Sequence, residues 1–290
     1  VLGSRGLGDV YKRQGNDLAM VNDEGKRMLE LDDNEKAIFQ KIKDSGKFKK
    51  TVVLLNSVFA MEMDWLDEYN VDAVLWVGNP GFYGMPGAIR VVTGEVIPSG
   101  HTTATFAANS LSAPSAENFG LHAYNYGSKT PRAAGDSFVS YNEGIYVGYR
   151  YFETFAKDCV LYPFGYGLSY TTFTRTVESF DFDGETVTEK VTVKNTGDVQ
   201  GKEVVTVFVE APQGKLGKAA RSLAAFAKTE TLQPGESETL TLTFPIANLA
   251  SYDDSGVTGH RFCYVLESGA YNVYTGGCVR GAKLSGSFEV

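Results

Sequence analysis

Bond breaking at neutral pH needs titratable or nucleophilic side chains set beside one another, and this sequence offers few such sets. His101 and His122 have no His-x-x-x-His spacing nearby, so they read as ordinary surface or packed histidines. Cys159, Cys263 and Cys278 are too few and too widely spaced for a zinc site or a disulfide framework. A Cys263–Cys278 bridge stays open, because it depends on whether neighbouring strands bring the two together. Asp181 and Asp183 beside Gly184 have a trace of calcium-loop composition but not the full pattern of such a loop. Neither a metal nor a cofactor is expected. Glu143 and Arg150 suit an ion pair or a backbone anchor better than catalysis. In a parallel α/β sheet, ligands gather beyond the carboxyl ends of the strands. Here those ends are Asn56-Ser57 and Gly78-Asn79.

The elements that would position such groups fall into two kinds. Asp32, Asp33, Asn34 and Glu35 have the composition of a capping box, followed by Ile38, Phe39 and Ile42 on one helical face and by a stop at Gly46. Thr51–Asn56 is a short continuous apolar run, as in a strand covered on both faces. Met61–Tyr69 reads as a second short helix, Ala73–Val77 as the next buried strand, and Gly87–Thr93 as a further helix ended by Gly94. Strand, helix and strand with short links imply a parallel sheet with right-handed crossovers. About 90 residues is thin for a doubly wound layer of five or six strands, so the layer is expected to be incomplete.

Between Ala107 and Tyr166 the periodicity fades while aromatics accumulate, including Tyr141, Tyr149, Phe152, Tyr162 and Phe164. Such rings could stack on sugar faces, but packing a long connector between two domains is the favoured reading. From Ser169 onward the period is two: Val187, Val191 and Val193 share a face, and Leu240, Leu242 and Phe244 alternate with threonines. Several short strands without a helix indicate an immunoglobulin-like β-sandwich. Both tryptophans lie upstream, so the Cys-Trp-Cys core is absent and a fibronectin-type variant remains.

Composition narrows the function classes. Lys and Arg number 27 against 35 Asp and Glu, a net charge of −8, which disfavours a nucleic-acid partner. Apolar runs stop after a few residues, far short of the roughly 20 needed for a membrane helix, so no membrane partner is expected. At 43% hydrophobic and 21% charged residues, the chain can build packed cores. Residues 1–14 have no apolar h-region, so they are not a signal peptide. Their Asp9–Gln14 segment resembles the translation of a transposase end used in preparing DNA libraries. They are therefore expected to be a foreign tail.

Several segments together resemble the C-terminal half of glycoside hydrolase family 3, the β-glucosidase and β-xylosidase family. Pro98-Ser99-Gly100 with Thr105-Phe106 resembles its N-P-S-G-(R/K)-L-P-x-T-F segment. Tyr141–Tyr151 and Tyr162–Thr171 resemble its connector signatures, and Asn195–Val204 and Leu232–Ser237 its fibronectin type III-like domain. There are departures. His101 stands where the family usually has Arg or Lys, and Gly81–Gly84 replaces the more usual Gly-Gln-Glu-Gly.

The resemblance implies an incomplete parallel-sheet α/β sandwich over 15–106, a connector over 107–165 and a fibronectin type III-like sandwich over 166–290. It also implies a parent that is a retaining, exo-acting β-glycosidase, most simply a β-glucosidase, acting on an oligosaccharide or β-glucoside. Its nucleophilic Asp would lie on a (β/α)₈ barrel that this chain lacks. The family's acid/base Glu lies in a Gly-Glu-Gly-x-Asp loop, whose counterpart is Gln14-Gly15-Asn16-Asp17. That position falls on Gln14, whose amide has no proton to donate as a general acid. No catalytic residue is therefore expected in this chain, with Asn16 and Asp17 as candidate substrate-binding residues. The expectation is that the chain alone is inactive. The alternative is a non-catalytic carbohydrate-binding or scaffold protein built from the same modules. Localisation, bacterial cytoplasmic or secreted, stays open.

Overall fold

The computed structural model describes residues 2–4, 25–116, 122–123, 137–138 and 140–290. The chain divides into two compact units. The first comprises 1–92, 106–147 and 158–161, and the second 93–105, 148–157 and 162–290.

In the first unit, helix α1 (Asp33–Ser45) starts as its local sequence dictates. Asp32 accepts from the Glu35 N–H, Glu35 reaches back to the Asp32 N–H, and Gly46 closes the helix in the left-handed conformation at φ 58°. The sheet order is β1-β2-β3 and all pairings are parallel, from β1 (Leu2–Ser4) through β2 (Val52–Asn56) to β3 (Ala73–Trp76). Val53, Leu54 and Leu55 of β2 are buried, as expected of a strand with neighbours on either side. The aromatic core sets Phe39 of α1 against Trp65 and Tyr69, with centroids 4.8 and 5.6 Å apart. Short pairs complete the unit: β4 (Phe106–Ala107) with β7 (Val160–Tyr162), and β5 (His122–Ala123) with β6 (Ser137–Phe138).

Three local expectations change here. Met61–Tyr69 is not a helix: 61–63 have no regular structure and 64–70 form turns. The Glu62 N–H donates to Leu29 O and the Trp65 indole N–H donates to Glu62 O at 2.7 Å. Long-range and side-chain partners thus take the backbone groups that a helix would have used. Strand β3 is only half-buried and its Ala73 is exposed. Helix α2 (Gly81–Val92) begins six residues earlier than expected and carries Pro86 inside it; none of its residues is buried.

The second unit is a two-sheet sandwich. One sheet runs β11-β10-β15-β16 (Ser222–Lys228, Val204–Glu210, Ala270–Gly276, Lys283–Glu289), and the other β12-β9-β8 (Ser237–Pro245, Thr186–Asn195, Phe173–Phe182). All neighbours are antiparallel. Val187, Val191 and Val193 of β9 meet Val205, Val207 and Val273 in a core with no exposure, the alternation read from the sequence. A hairpin of β13 (Ser251–Asp253) and β14 (Cys263–Val265) projects from this unit.

Connector pieces belong to the second unit too. Gly165 N donates to Thr102 O, Thr102 N to Tyr166 O, and Thr102 Oγ1 to Pro163 O. Helix α3 (Tyr149–Phe155) places the Tyr149 ring 4.7 Å from Phe164, and the Tyr149 hydroxyl accepts from Leu223 N–H. Several connector rings therefore pack rather than face water, although Tyr141 is exposed.

Candidate functional site

The carboxyl end of the first unit's sheet is built from neutral groups. Ser57 is buried, and its hydroxyl donates to Phe59 O and accepts from Phe59 N–H, both at 3.1 Å. Its carbonyl accepts the Trp76 indole N–H at 2.5 Å, while the Trp76 ring meets Phe106 edge-on at 5.1 Å. This network ties the end of β2 to the end of β3 and to β4. Ser57 is committed to its own turn, and among the described residues no base is hydrogen-bonded to it, as an activated nucleophile requires. Asn56 is half-buried and Asn79 exposed. Their amides can hydrogen-bond a hydroxyl but cannot exchange a proton at neutral pH.

A buried carboxylate of the first unit is Glu62, 1% exposed. Arg27 Nε and Nη2 donate to its Oε1 and Oε2 at 2.7 and 2.8 Å, and Ser110 N–H donates to Oε1 at 2.7 Å. Burial pushes the Glu62 carboxyl up, but the hydrogen bonds from Arg27 and Ser110 outweigh it and hold it below the ordinary carboxylate range. A general acid must carry a proton near neutral pH, and Glu62 is held in the opposite state. Its chemistry is structural.

A second buried cluster lies in the second unit. Arg175 Nη2 lies 2.8 Å from Glu203 Oε2, and His101 Nε2 lies 3.2 Å from Glu203 Oε1. Burial raises the Glu203 carboxyl; the His101 hydrogen bond, the Arg175 charge and the Val204 N–H outweigh it, and the net direction is down. Lys228 Nζ reaches Ser99 O and Oγ nearby. This cluster fastens the 93–105 segment to β8 and β10.

Gln14, Asn16 and Asp17 lie outside the described residues. His101 is a packed histidine with a specific partner, its Nε2 lying 3.2 Å from Glu203 Oε1. Its signal was available, since a place the family fills with a cation implies an anion opposite. Glu62 was missed as well, although an acid flanked by Met61, Met63 and Trp65 points to a buried pair. Glu143 and Arg150 belong to different units: the Glu143 carbonyl accepts Tyr146 N–H, while the Arg150 guanidinium stands 6.0 Å from the Tyr149 centroid. All three cysteines are free, so the Cys263–Cys278 bridge does not form; Cys263 sits on the exposed hairpin, whereas Cys278 Sγ accepts from Gly281 N–H. Asp183 is a turn residue whose Oδ1 accepts from Glu185 and Thr186 N–H.

Known proteins resemble this chain over most of its length. Residues 11–149 match the family model of the glycosyl hydrolase family 3 C-terminal domain, and residues 203–278 that of the fibronectin type III-like domain. A β-glucosidase of Ruminococcus albus is 46% identical over 261 residues, covering 90% of this chain and 26% of the relative. β-Glucosidase A of Butyrivibrio fibrisolvens is 38% identical, with 88% and 31% covered. The solved β-glucosidase of Paenibacillus barengoltzii superposes with a TM-score of 0.80 at 39% identity, covering 91% of this chain and 27% of that one. β-Glucosidase 3B of Thermotoga neapolitana, solved in complex with glucose, gives 0.75 at 36% identity, with 90% and 34% covered. The chain thus spans about a quarter to a third of the length of the proteins it matches. It belongs to glycoside hydrolase family 3, of which it carries the C-terminal α/β domain and the fibronectin type III-like domain.

Proposed function

We propose that this chain is a portion of a retaining, exo-acting β-glucosidase and that it does not hydrolyse glycosides by itself. Retention requires one carboxylate to attack the anomeric carbon and a second, about 5–5.5 Å away, to protonate the leaving oxygen. The observation that carries the reading is the state of Glu62. This buried carboxylate of the first unit is paired with Arg27, accepts from Ser110 N–H and is held without a proton to give. In this reading the nucleophile lies on the parent's (β/α)₈ barrel and the acid/base position falls on Gln14. Asn16 and Asp17 belong to the loop lining the leaving-group side. The neutral strand ends at Asn56 and Asn79 then serve sugar hydroxyls rather than the reacting bond.

Assay of the whole chain with an aryl β-glucoside tests this directly. The expected result is no turnover above buffer. Joining the chain to the remainder of the Ruminococcus albus relative, to supply the barrel and the acid/base loop, is expected to produce hydrolysis with net retention at the anomeric carbon. Robust turnover by the chain alone would overturn the proposal.

A further inference from the structure

We propose that the β13–β14 hairpin of the second unit is a glycan platform, on which a neutral β-linked glucan stacks against Tyr264 and Tyr252. The choice of sugar rests on the β-glucosidase reading above; the platform itself rests on the following geometry.

Tyr252 and Tyr264 are direct cross-strand partners, with ring centroids 5.2 Å apart and planes at 61°. Cross-strand aromatic partners usually serve to bury each other, yet Tyr252 is 49% and Tyr264 75% exposed. Every residue from Gly259 to Tyr264 is exposed, Phe262 among them at 60%. Phe262 has φ 63°, a left-handed conformation that is strained for a bulky residue and that clusters at binding sites.

The loop that joins the two strands is held by Asp253, which has no exposure. Its Oδ1 accepts from Ser255 Oγ at 3.0 Å, Gly256 N–H at 2.6 Å and Val257 N–H at 3.2 Å. Its Oδ2 accepts from Thr258 N–H at 2.8 Å and Thr258 Oγ1 at 2.6 Å. The Thr258 hydroxyl, outweighing burial with the help of the loop's other donors, holds the Asp253 carboxyl far below the ordinary carboxylate range. The backbone closes on itself through Phe262 N–H to Asp253 O at 2.6 Å. Rings displayed beside so constrained a turn lose little conformational freedom when a ligand arrives.

The chemistry of the patch selects its occupant. It offers aromatic faces and phenol hydroxyls, and the Arg261 guanidinium lies 4.6 Å from the Phe262 centroid. A pyranose has the complementary character, an apolar C–H face bordered by neutral hydroxyls. The exposed aliphatic content is Val257, too little for an apolar protein groove. The chain's net charge of −8 turns polyanions away.

The test is affinity electrophoresis of the whole chain through gels containing soluble mixed-linkage β-glucan, with dextran at equal mass as the α-linked control. The β-glucan is expected to retard the chain and dextran to leave it alone. Tyr252→Ala and Tyr264→Ala should each weaken binding about tenfold, as truncation of an aromatic anchor does. Tyr264→Phe should retain most of the affinity. Tyr83→Ala, an exposed ring of the first unit, should change nothing. If Tyr264→Ala also lowers the melting transition, Tyr264→Leu keeps the apolar bulk without the aromatic face and should still lose retardation. Absence of retardation by β-glucan, or Tyr252→Ala and Tyr264→Ala variants retarded as much as the unaltered chain, overturns the inference. Hydrolysis of a small aryl β-glucoside by the extended enzyme bears only on the catalytic reading, so the two proposals fail separately.

Discussion

Replacing Arg27 with Met is expected to cost the first unit about 3 kcal/mol at pH 7, the usual penalty for stranding a buried ionised partner. The wild-type Glu62 carboxylate is 1% exposed and takes two of its three side-chain hydrogen bonds from Arg27. Without the guanidinium, only Ser110 N–H remains. At roughly 1–3 kcal/mol/M in urea, the loss moves the unfolding midpoint down by about 1–3 M. Tryptophan emission isolates this unit, because Trp65 and Trp76 are the protein's two tryptophans and both belong to it. Glu62→Gln is milder, about 1–2 kcal/mol, since its amide oxygen still accepts from Ser110 or Arg27 and the half-buried Arg27 can reach water. The pH dependence follows from the sign of the shift. The wild-type carboxyl is held below its unfolded value of about 4.3. Its stabilising contribution is therefore full above that pH and fades as pH falls through the folded value. In Arg27→Met, burial acts almost alone and favours the protonated acid, so the deficit should shrink between pH 7 and pH 4. An unchanged midpoint at pH 7, or a deficit that does not shrink with acid, would refute the reasoning.

The second unit gives parallel expectations. Arg175→Met strands Glu203 and should lower its stability by about 2–3 kcal/mol at pH 7, again with a deficit that closes on acidification because Glu203 is shifted down; far-UV circular dichroism during urea unfolding reads it. His101→Arg replaces a ring whose buried Nδ1 has no partner with a permanent cation facing Glu203 and is expected to hold or raise the melting temperature. Glu189 occupies a core position of β9; its Oε2 accepts from Thr275 Oγ1 at 2.6 Å while its buried Oε1 has no partner. Glu189→Gln should therefore stabilise by about 1 kcal/mol, raising the melting temperature by roughly 2–4 °C. Gly165 has φ 84°, and an added Cβ would stand 2.9 Å from Cys278 Cα. Gly165→Ala should cost about 1–3 kcal/mol, seen as a lower midpoint for the second unit alone.

Much of the fold was legible because its causes are local. Asp32 and Glu35 cap α1 with their own neighbours' N–H groups, and Gly46 supplies the left-handed residue that ends it. Val187, Val191 and Val193 announce a half-buried strand by their spacing alone, since side chains on a strand alternate between faces whatever lies opposite. The unread parts had distant causes. Met61–Tyr69 has apolar spacing that suits a helix, but the Glu62 N–H is taken by Leu29 O and the carboxylate by Arg27 and Ser110. Those partners are remote in the chain, and no window around Glu62 contains them. Ala73–Trp76 reads as buried from its composition, yet burial depends on what covers a strand rather than on the strand itself.

The same division holds for the site. Family membership and the two-domain order were decided by the residues as written, since motif spacing and side-chain chemistry do not depend on folding. Tertiary structure alone decided that Glu62 is a neutralised strut, that His101 and Arg175 meet on Glu203, and that Tyr252 and Tyr264 face water on strands joined by a loop cinched by Asp253. Ion pairing and exposure are properties of neighbours in space, and the chain brings those neighbours together only when it folds.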